Sequence, residues 1–111
     1  MILMALIRAC STSDVSKGGL KLVKVAGKEL VIANVDGKFY ALDNWCTHEQ
    51  GNLSEGQLSK TVLTCPEHGA QFDVTSGRVL AGPDGEGPGE MPTANVHRVE
   101  VQGGNVMVEV D

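Results

Sequence analysis

The chain has 111 residues, of which 41% are hydrophobic, and a formal net charge of -5. This length allows one domain with a hydrophobic core and is too short for two. The negative charge argues against nucleic acid or anionic lipid as a partner. The apolar opening "MILMALI" is interrupted by Arg8, far short of the roughly 20 apolar residues that a membrane span needs. We expect a single domain over residues 1–111 that binds neither nucleic acid nor membrane.

The three cysteines bear on the redox compartment. They cannot all pair with one another, and a domain of this size with an ordinary apolar fraction does not need disulfide bonds for stability. We therefore interpret them as metal ligands or reduced thiols and expect a cytoplasmic location. Cys10 stands alone near the start of the chain, and we interpret it as a small buried hydrophobic residue.

The first 42 residues have the pattern of a meander of short β-strands. β-Branched residues dominate the runs, and Gly27 and the pair Asp36-Gly37 supply turn signals between them. The predicted strands are "MILMALI" (1–7), "LKLVKV" (20–25), "ELVIANV" (29–35) and "KFYAL" (38–42).

The end of the chain predicts a closing hairpin. "NVHRVEV" (95–101) and "NVMVEV" (105–110) alternate with a period of two around a Gly103-Gly104 turn. The pattern places five valines on the core side: Val99, Val101, Val106, Val108 and Val110. His97 in the first of these strands is interpreted as structural or solvent-facing.

Between these blocks, at about residues 43–92, the sequence predicts a loop-rich insert on an all-β scaffold. It contains one short strand pattern, "TVLT" (61–64), the turn "TSG" (75–77) and the Gly/Pro-rich stretch "AGPDGEGPGEMP" (81–92). It also contains two of the three cysteines and two of the three histidines.

Those four residues have the spacing of a metal site. Cys46 and His48 are two positions apart, Cys65 and His68 are three apart, and 16 residues separate the pairs. Each pair can form one chelating loop, and the intervening segment can return as a hairpin so that four ligands converge. Two thiolates and two imidazoles suit a structural zinc ion and equally a mixed-ligand [2Fe-2S] cluster. The ligand set alone does not separate these alternatives.

The surrounding residues do separate them. "CTH" (46–48) followed after sixteen residues by "CPEHGAQFD" (65–73), "TSG" and the Gly-Pro stretch resembles the Rieske iron-sulfur motif. "FYALDNWCTHE" (39–49) and "TVLTCPEHGAQFDVTSGRV" (61–79) are similar to the soluble Rieske-type ferredoxins that supply electrons to bacterial ring-hydroxylating dioxygenases. The resemblance covers roughly residues 20–110.

The resemblance implies a fold and a ligand set. It implies an antiparallel β-sandwich-like Rieske domain with a small cluster-binding subdomain, and one [2Fe-2S] cluster per chain. Cys46 and Cys65 would bind the inner iron, and His48 and His68 the outer iron.

Respiratory-chain relatives have further features that this chain lacks. Two of their cysteines form a disulfide between the ligand loops, and the corresponding positions here are Gly51 and Glu67. Where those relatives have a serine and a tyrosine near the cluster, this chain has Ala70 and Phe72. Fewer hydroxyl donors disfavour the reduced cluster, so we expect a reduction potential at the low end of the Rieske class.

The resemblance also implies a function. We expect a monomeric one-electron carrier, not an enzyme, that passes electrons from a flavin-containing reductase to a terminal oxygenase. One alternative keeps the cluster in a different system, as a Rieske-like subunit of a nitrite reductase or of another redox system. An alternative of another class is a zinc-stabilised binding module.

Overall fold

The computed structural model describes residues 5–45, 52–67, 69–82, 87 and 93–110. In this part of the chain the regular structure is almost entirely β, apart from two single-turn 3-10 helices, Thr12–Asp14 and Leu53–Glu55. No helix in the described ranges is long and apolar enough to cross a membrane. The strands are β1 Ala5–Ser11, β2 Leu20–Val25, β3 Lys28–Val35, β4 Lys38–Asp43, β5 Gln57–Ser59, β6 Val62–Thr64, β7 Gln71–Asp73, β8 Val79–Ala81, β9 Val96–His97, β10 Val99–Gln102 and β11 Asn105–Val110.

The strands form three antiparallel sheets. The first has the order β1-β11-β10, the second β2-β3-β4-β9 and the third β5-β6-β7-β8. The second sheet begins with two hairpins whose turns, Ala26-Gly27 and Asp36-Gly37, have positive φ at both residues. This is the type I′ geometry that matches the twist of two antiparallel strands, so the turn signals in the sequence were interpreted correctly.

The second sheet lies between the two hydrophobic core clusters. Leu30 and Ile32 of β3 belong to the cluster shared with the first sheet, whereas Val31 and Ala33 belong to the cluster shared with the third sheet. Successive residues of a strand point to opposite faces, so both faces of β3 are buried. This explains why the sequence of β3 is a continuous apolar run rather than an alternating one.

The third sheet occupies residues 57–81, within the part of the sequence predicted to be a loop-rich insert. Its four strands have three residues each, and only β6 was predicted. Its apolar side chains pack toward the second sheet, where Leu63, Phe72 and Val79 join Leu42 in one cluster.

Two predictions for the last strands were wrong in detail. The run predicted over 95–101 is broken at Arg98, because β9 pairs with β4 while β10 pairs with β11 in another sheet. Val106, Val108 and Val110 are buried as predicted, and Val99 packs against the same cluster. Val101 is 53% exposed: it lies on an edge strand beside the hairpin turn, where nothing covers it among the described residues.

Gly77 marks a close approach between the third sheet and the strand that returns to the second sheet. Its backbone has φ +78, and a Cβ there would overlap the carbonyl oxygen of Ala94. The Ala94 N–H donates to the Gly77 carbonyl at 2.8 Å. A side chain at this position would therefore force the two segments apart.

We predict that Gly77→Ala destabilises the protein more than Gly18→Ala. Gly18 has the same φ of +78 but open space around its Cβ direction, so both variants carry the cost of a left-handed alanine, about 1–2 kcal/mol. Only Gly77→Ala adds the overlap with Ala94, which is worth about 1–3 kcal/mol more. Urea unfolding measures the difference, and equal losses in the two variants would show that residues 77 and 94 are not in close contact.

Candidate metal centre

The segment that contains Cys46 and His48 has both its flanks held together. Trp45 before it and Asn52 after it form an isolated antiparallel bridge. Residues 46–51, which include both predicted ligands, lie outside the described residues. The bridge means that the chain enters and leaves this six-residue segment at the same place.

Asn44 fastens this bridge to the scaffold. The side chain is fully buried; its amide nitrogen donates to Asn52 Oδ1 at 2.8 Å, and its amide oxygen accepts from the Ser54 N–H at 3.0 Å. Its backbone N–H donates to the Glu29 carbonyl at 3.0 Å, and its carbonyl accepts from the Leu53 N–H at 2.9 Å. Through its side chain and its backbone, Asn44 therefore fixes the two flanks of segment 46–51 to each other and to β3.

Cys65, the first residue of the second predicted ligand pair, directly follows β6 in the β6–β7 hairpin. Thr64 pairs with Gln71 in the ladder, and the Cys65 N–H donates to the Ala70 carbonyl at 2.7 Å. Gly69 has φ +77, a conformation that glycine adopts without steric cost. The hairpin therefore closes tightly around residues 65–70, which include both Cys65 and His68.

Cys65 is the one predicted ligand within the described ranges. It is 1% exposed and belongs to the same core cluster as Leu53, which follows Asn52 at the end of the first segment. Cys46, His48 and His68 lie outside the described residues. Cys65 and the residue that follows the first segment therefore belong to one hydrophobic cluster, and the ligand set itself stays a prediction.

The donor set fits an iron-sulfur cluster. Thiolates are soft ligands that iron-sulfur clusters prefer, and a thiolate buried among apolar residues needs a cation to offset its charge. A mixed pair of cysteines and histidines is the ligand set of a Rieske centre.

Ala70 and Phe72 stand at the two positions where respiratory-chain relatives have hydroxyl groups. Both side chains are fully buried. They line the core cluster that contains Cys65. In contrast, Glu67 is exposed on the hairpin tip. Trp45, the residue before Cys46, is 45% exposed.

Sequence reasoning missed a group of polar contacts at Asp43. This residue ends β4, and its carboxylate accepts from Asn95 Nδ2 at 2.9 Å and from His97 Nε2 at 2.7 Å. The residues are more than 50 positions apart, so no local spacing could reveal the contact. His97 is structural, as predicted, and its partner is now identified.

Cys10 lies away from this site. It is 3% exposed and belongs to the cluster between the first and second sheets. Burial, together with the negative charge of Asp14, raises the pKa of the Cys10 thiol, so it stays protonated and is a poor metal ligand. This confirms its interpretation as a small hydrophobic residue.

Comparisons with known proteins agree with the sequence motif. Residues 5–95 match the Rieske [2Fe-2S] domain family. The ferredoxin component of the naphthalene 1,2-dioxygenase system of Pseudomonas putida is 36% identical over 105 residues, which cover 95% of this chain and 93% of the relative.

Solved structures show the same fold. The Sphingomonas yanoikuyae B1 ferredoxin superposes with a TM-score of 0.85 at 28% identity, covering 96% of this chain and all of that one. A ferredoxin solved in complex with the oxygenase of carbazole 1,9a-dioxygenase has a TM-score of 0.79 at 34% identity, over 93% of this chain and 91% of that one. Both match the chain over nearly its full length.

We predict that Asn44→Ala lowers the free energy of unfolding by about 1–3 kcal/mol, because it removes the two side-chain hydrogen bonds that join one flank of segment 46–51 to Asn52 and Ser54 on the other flank. Asn105→Ala is the matched control, since Asn105 makes exposed contacts with Arg8 and Gly103 and should change stability by less than about 0.5 kcal/mol. Urea denaturation tests this, and equal midpoints for the two variants would contradict the role given to Asn44.

Proposed function

Because the chain belongs to the Rieske [2Fe-2S] domain family, we propose that it is a one-electron carrier, the ferredoxin component of an oxygenase system. Relatives that match almost the whole chain are ferredoxin components of naphthalene and biphenyl dioxygenase systems. One structural neighbour was solved as a complex of an oxygenase and its ferredoxin. The proposed electron acceptor is therefore a terminal oxygenase that hydroxylates aromatic rings.

The proposed cluster ligands are Cys46, His48, Cys65 and His68, with one [2Fe-2S] cluster per chain. In this proposal the chain forms one domain over residues 1–111, and about residues 43–92 form the cluster-binding insert. When bound, the cluster accepts one electron and passes it on. The observation that best supports the proposal is the position of Cys65, buried at a tightly closed hairpin tip beside the bridged flanks of segment 46–51.

The residues of the chain hold and shield this site. The Asn44 network and the Cys65–Ala70 hydrogen bond fix the backbone on either side of the ligands. Ala70 and Phe72 present apolar surface in the cluster that contains Cys65, which disfavours added negative charge and supports a low reduction potential.

The charge distribution of the chain bears on how the proposed partners dock. Residues 43–111 carry three Lys or Arg against eleven Asp or Glu, whereas residues 1–42 carry six against three. An acidic stretch of sequence that contains all four proposed ligands suits brief, electrostatically steered docking. We propose a flavin-containing reductase as the electron donor, and a monomer in the cytoplasm as the working form. The exposed Trp45, next to Cys46, is placed where a docked partner would cover it.

We predict that His48→Ala and His68→Ala each abolish the Rieske spectrum, because either change removes half of the protein ligands of one iron. Visible absorption and EPR of the reduced proteins are the measurements. Cys10→Ala is the control: it removes a buried thiol from the other core cluster, and it should retain the spectrum. An unchanged Rieske signal in either histidine variant would overturn the ligand assignment.

A further inference from the structure

Asp43 lies where the chain leaves the second sheet toward the proposed ligands. It is the last residue of β4 and precedes Cys46 by three positions, a span of at most about 11 Å of extended chain. Any shift of Asp43 relative to the scaffold therefore acts on the start of the first ligand segment. Asn44, which organises both flanks of that segment, is its neighbour in sequence.

The chain returns to the second sheet at the same point. The Asp43 N–H donates to the Asn95 carbonyl at 3.0 Å, and β9 then pairs with β4 through Ala41–His97 and Leu42–Val96. Two residue pairs join β9 to β4, so the pairing of these strands alone holds the return strand weakly. The side chains of Asn95 and His97 add two contacts to the Asp43 carboxylate.

The contact with His97 is the better shielded of the two. The His97 side chain is 11% exposed and that of Asp43 is 37% exposed. An ionised carboxylate only accepts hydrogen bonds, so Nε2 carries the proton that is shared with it. A short hydrogen bond to an ionised acceptor, partly removed from water, is stronger than an exposed one.

The return strand also contacts the third sheet, which carries Cys65. Ala94 donates to the Gly77 carbonyl at 2.8 Å and lies too close to Gly77 for a side chain there. Residues 94–97 therefore touch the β7–β8 turn of the third sheet on one side and Asp43, three residues before Cys46, on the other.

From this arrangement we propose that His97 is a positioning residue for the cluster: its hydrogen bond to Asp43 holds the two ligand-bearing parts in register and slows loss of the cluster. The proposal rests on the proposed cluster-binding function. His97 touches no proposed ligand among the described residues, so it acts through Asp43. The chain lacks both of the loop cysteines that form a disulfide in respiratory-chain relatives. Noncovalent contacts must therefore hold the two ligand-bearing parts in position.

The test compares the rate at which a chelator bleaches the visible absorption of the oxidised holoprotein. His97→Met removes the N–H at similar side-chain volume and should accelerate cluster loss about fivefold, the factor expected for one net hydrogen bond. His97→Gln places an amide N–H close to the position of Nε2 and should restore most of the lifetime. If His97 contributed only packing, His97→Gln would not retain the cluster longer than His97→Met.

Asn34→Ala controls for general destabilisation. Asn34 is buried and donates to the Val15 carbonyl at 2.7 Å, far from Asp43 in the ladder. It should lower the urea midpoint at least as much as His97→Met but leave the bleaching rate unchanged. If His97→Met does not fold, Asp43→Ala removes the acceptor of the same hydrogen bond and should accelerate bleaching more than Asn95→Ala, which removes only the other donor.

The outcomes separate this proposal from the proposed function. Wild-type protein without an iron-sulfur spectrum would refute the function itself. A wild-type cluster that His97→Met releases at the wild-type rate, or that Asp43→Ala releases no faster than Asn95→Ala does, would overturn only the role of His97. The role of His97 would also be overturned if His97→Gln bleaches as fast as His97→Met. It would likewise be overturned if Asn34→Ala, at the same urea midpoint as His97→Met, bleaches as fast as that variant.

Discussion

The buried amide of Asn44 is the interaction on which the proposed cluster site depends. A metal centre built from two separate loops needs both loops in fixed positions before the metal binds, since otherwise binding must also supply the free energy of ordering them. Asn44 joins the flanks of segment 46–51 to each other and to β3 with side-chain and backbone hydrogen bonds. The second ligand pair needs less support, because a hairpin of the third sheet carries it directly.

The hydrophobic core places these two supports side by side. Leu53, next to Asn52, and Cys65 pack in one cluster with Val31 and Leu42 of the second sheet. The central strand β3 of the second sheet is buried on both faces, and it can serve as a common base for both loops. The remaining joint is the return strand at residues 94–97, where Gly77, Asp43 and His97 make their contacts.

The sequence was sufficient for much of this arrangement because its signals are local. β2, β3, β4 and β11 follow from apolar runs and turn residues, and the short spacing of the Cys/His pairs suggests the proposed ligands. β5, β7 and β8 were missed because a three-residue strand is too short to show a period. The change of sheet at Arg98 and the exposure of Val101 depend on which strand becomes a neighbour, and the Asp43–His97 contact joins residues 54 positions apart. Such pairings come from tertiary structure, which periodicity does not encode.

The chemical identity of the centre is the central claim, and EPR of the chemically reduced protein, read with its iron, sulfide and zinc content, tests it most directly. We predict a red-brown protein with equal amounts of iron and inorganic sulfide and the EPR signal of a [2Fe-2S] cluster with mixed cysteine and histidine ligands. A colourless protein with stoichiometric zinc and no EPR signal after reduction would contradict the account, since the same four ligands would then form a structural zinc site.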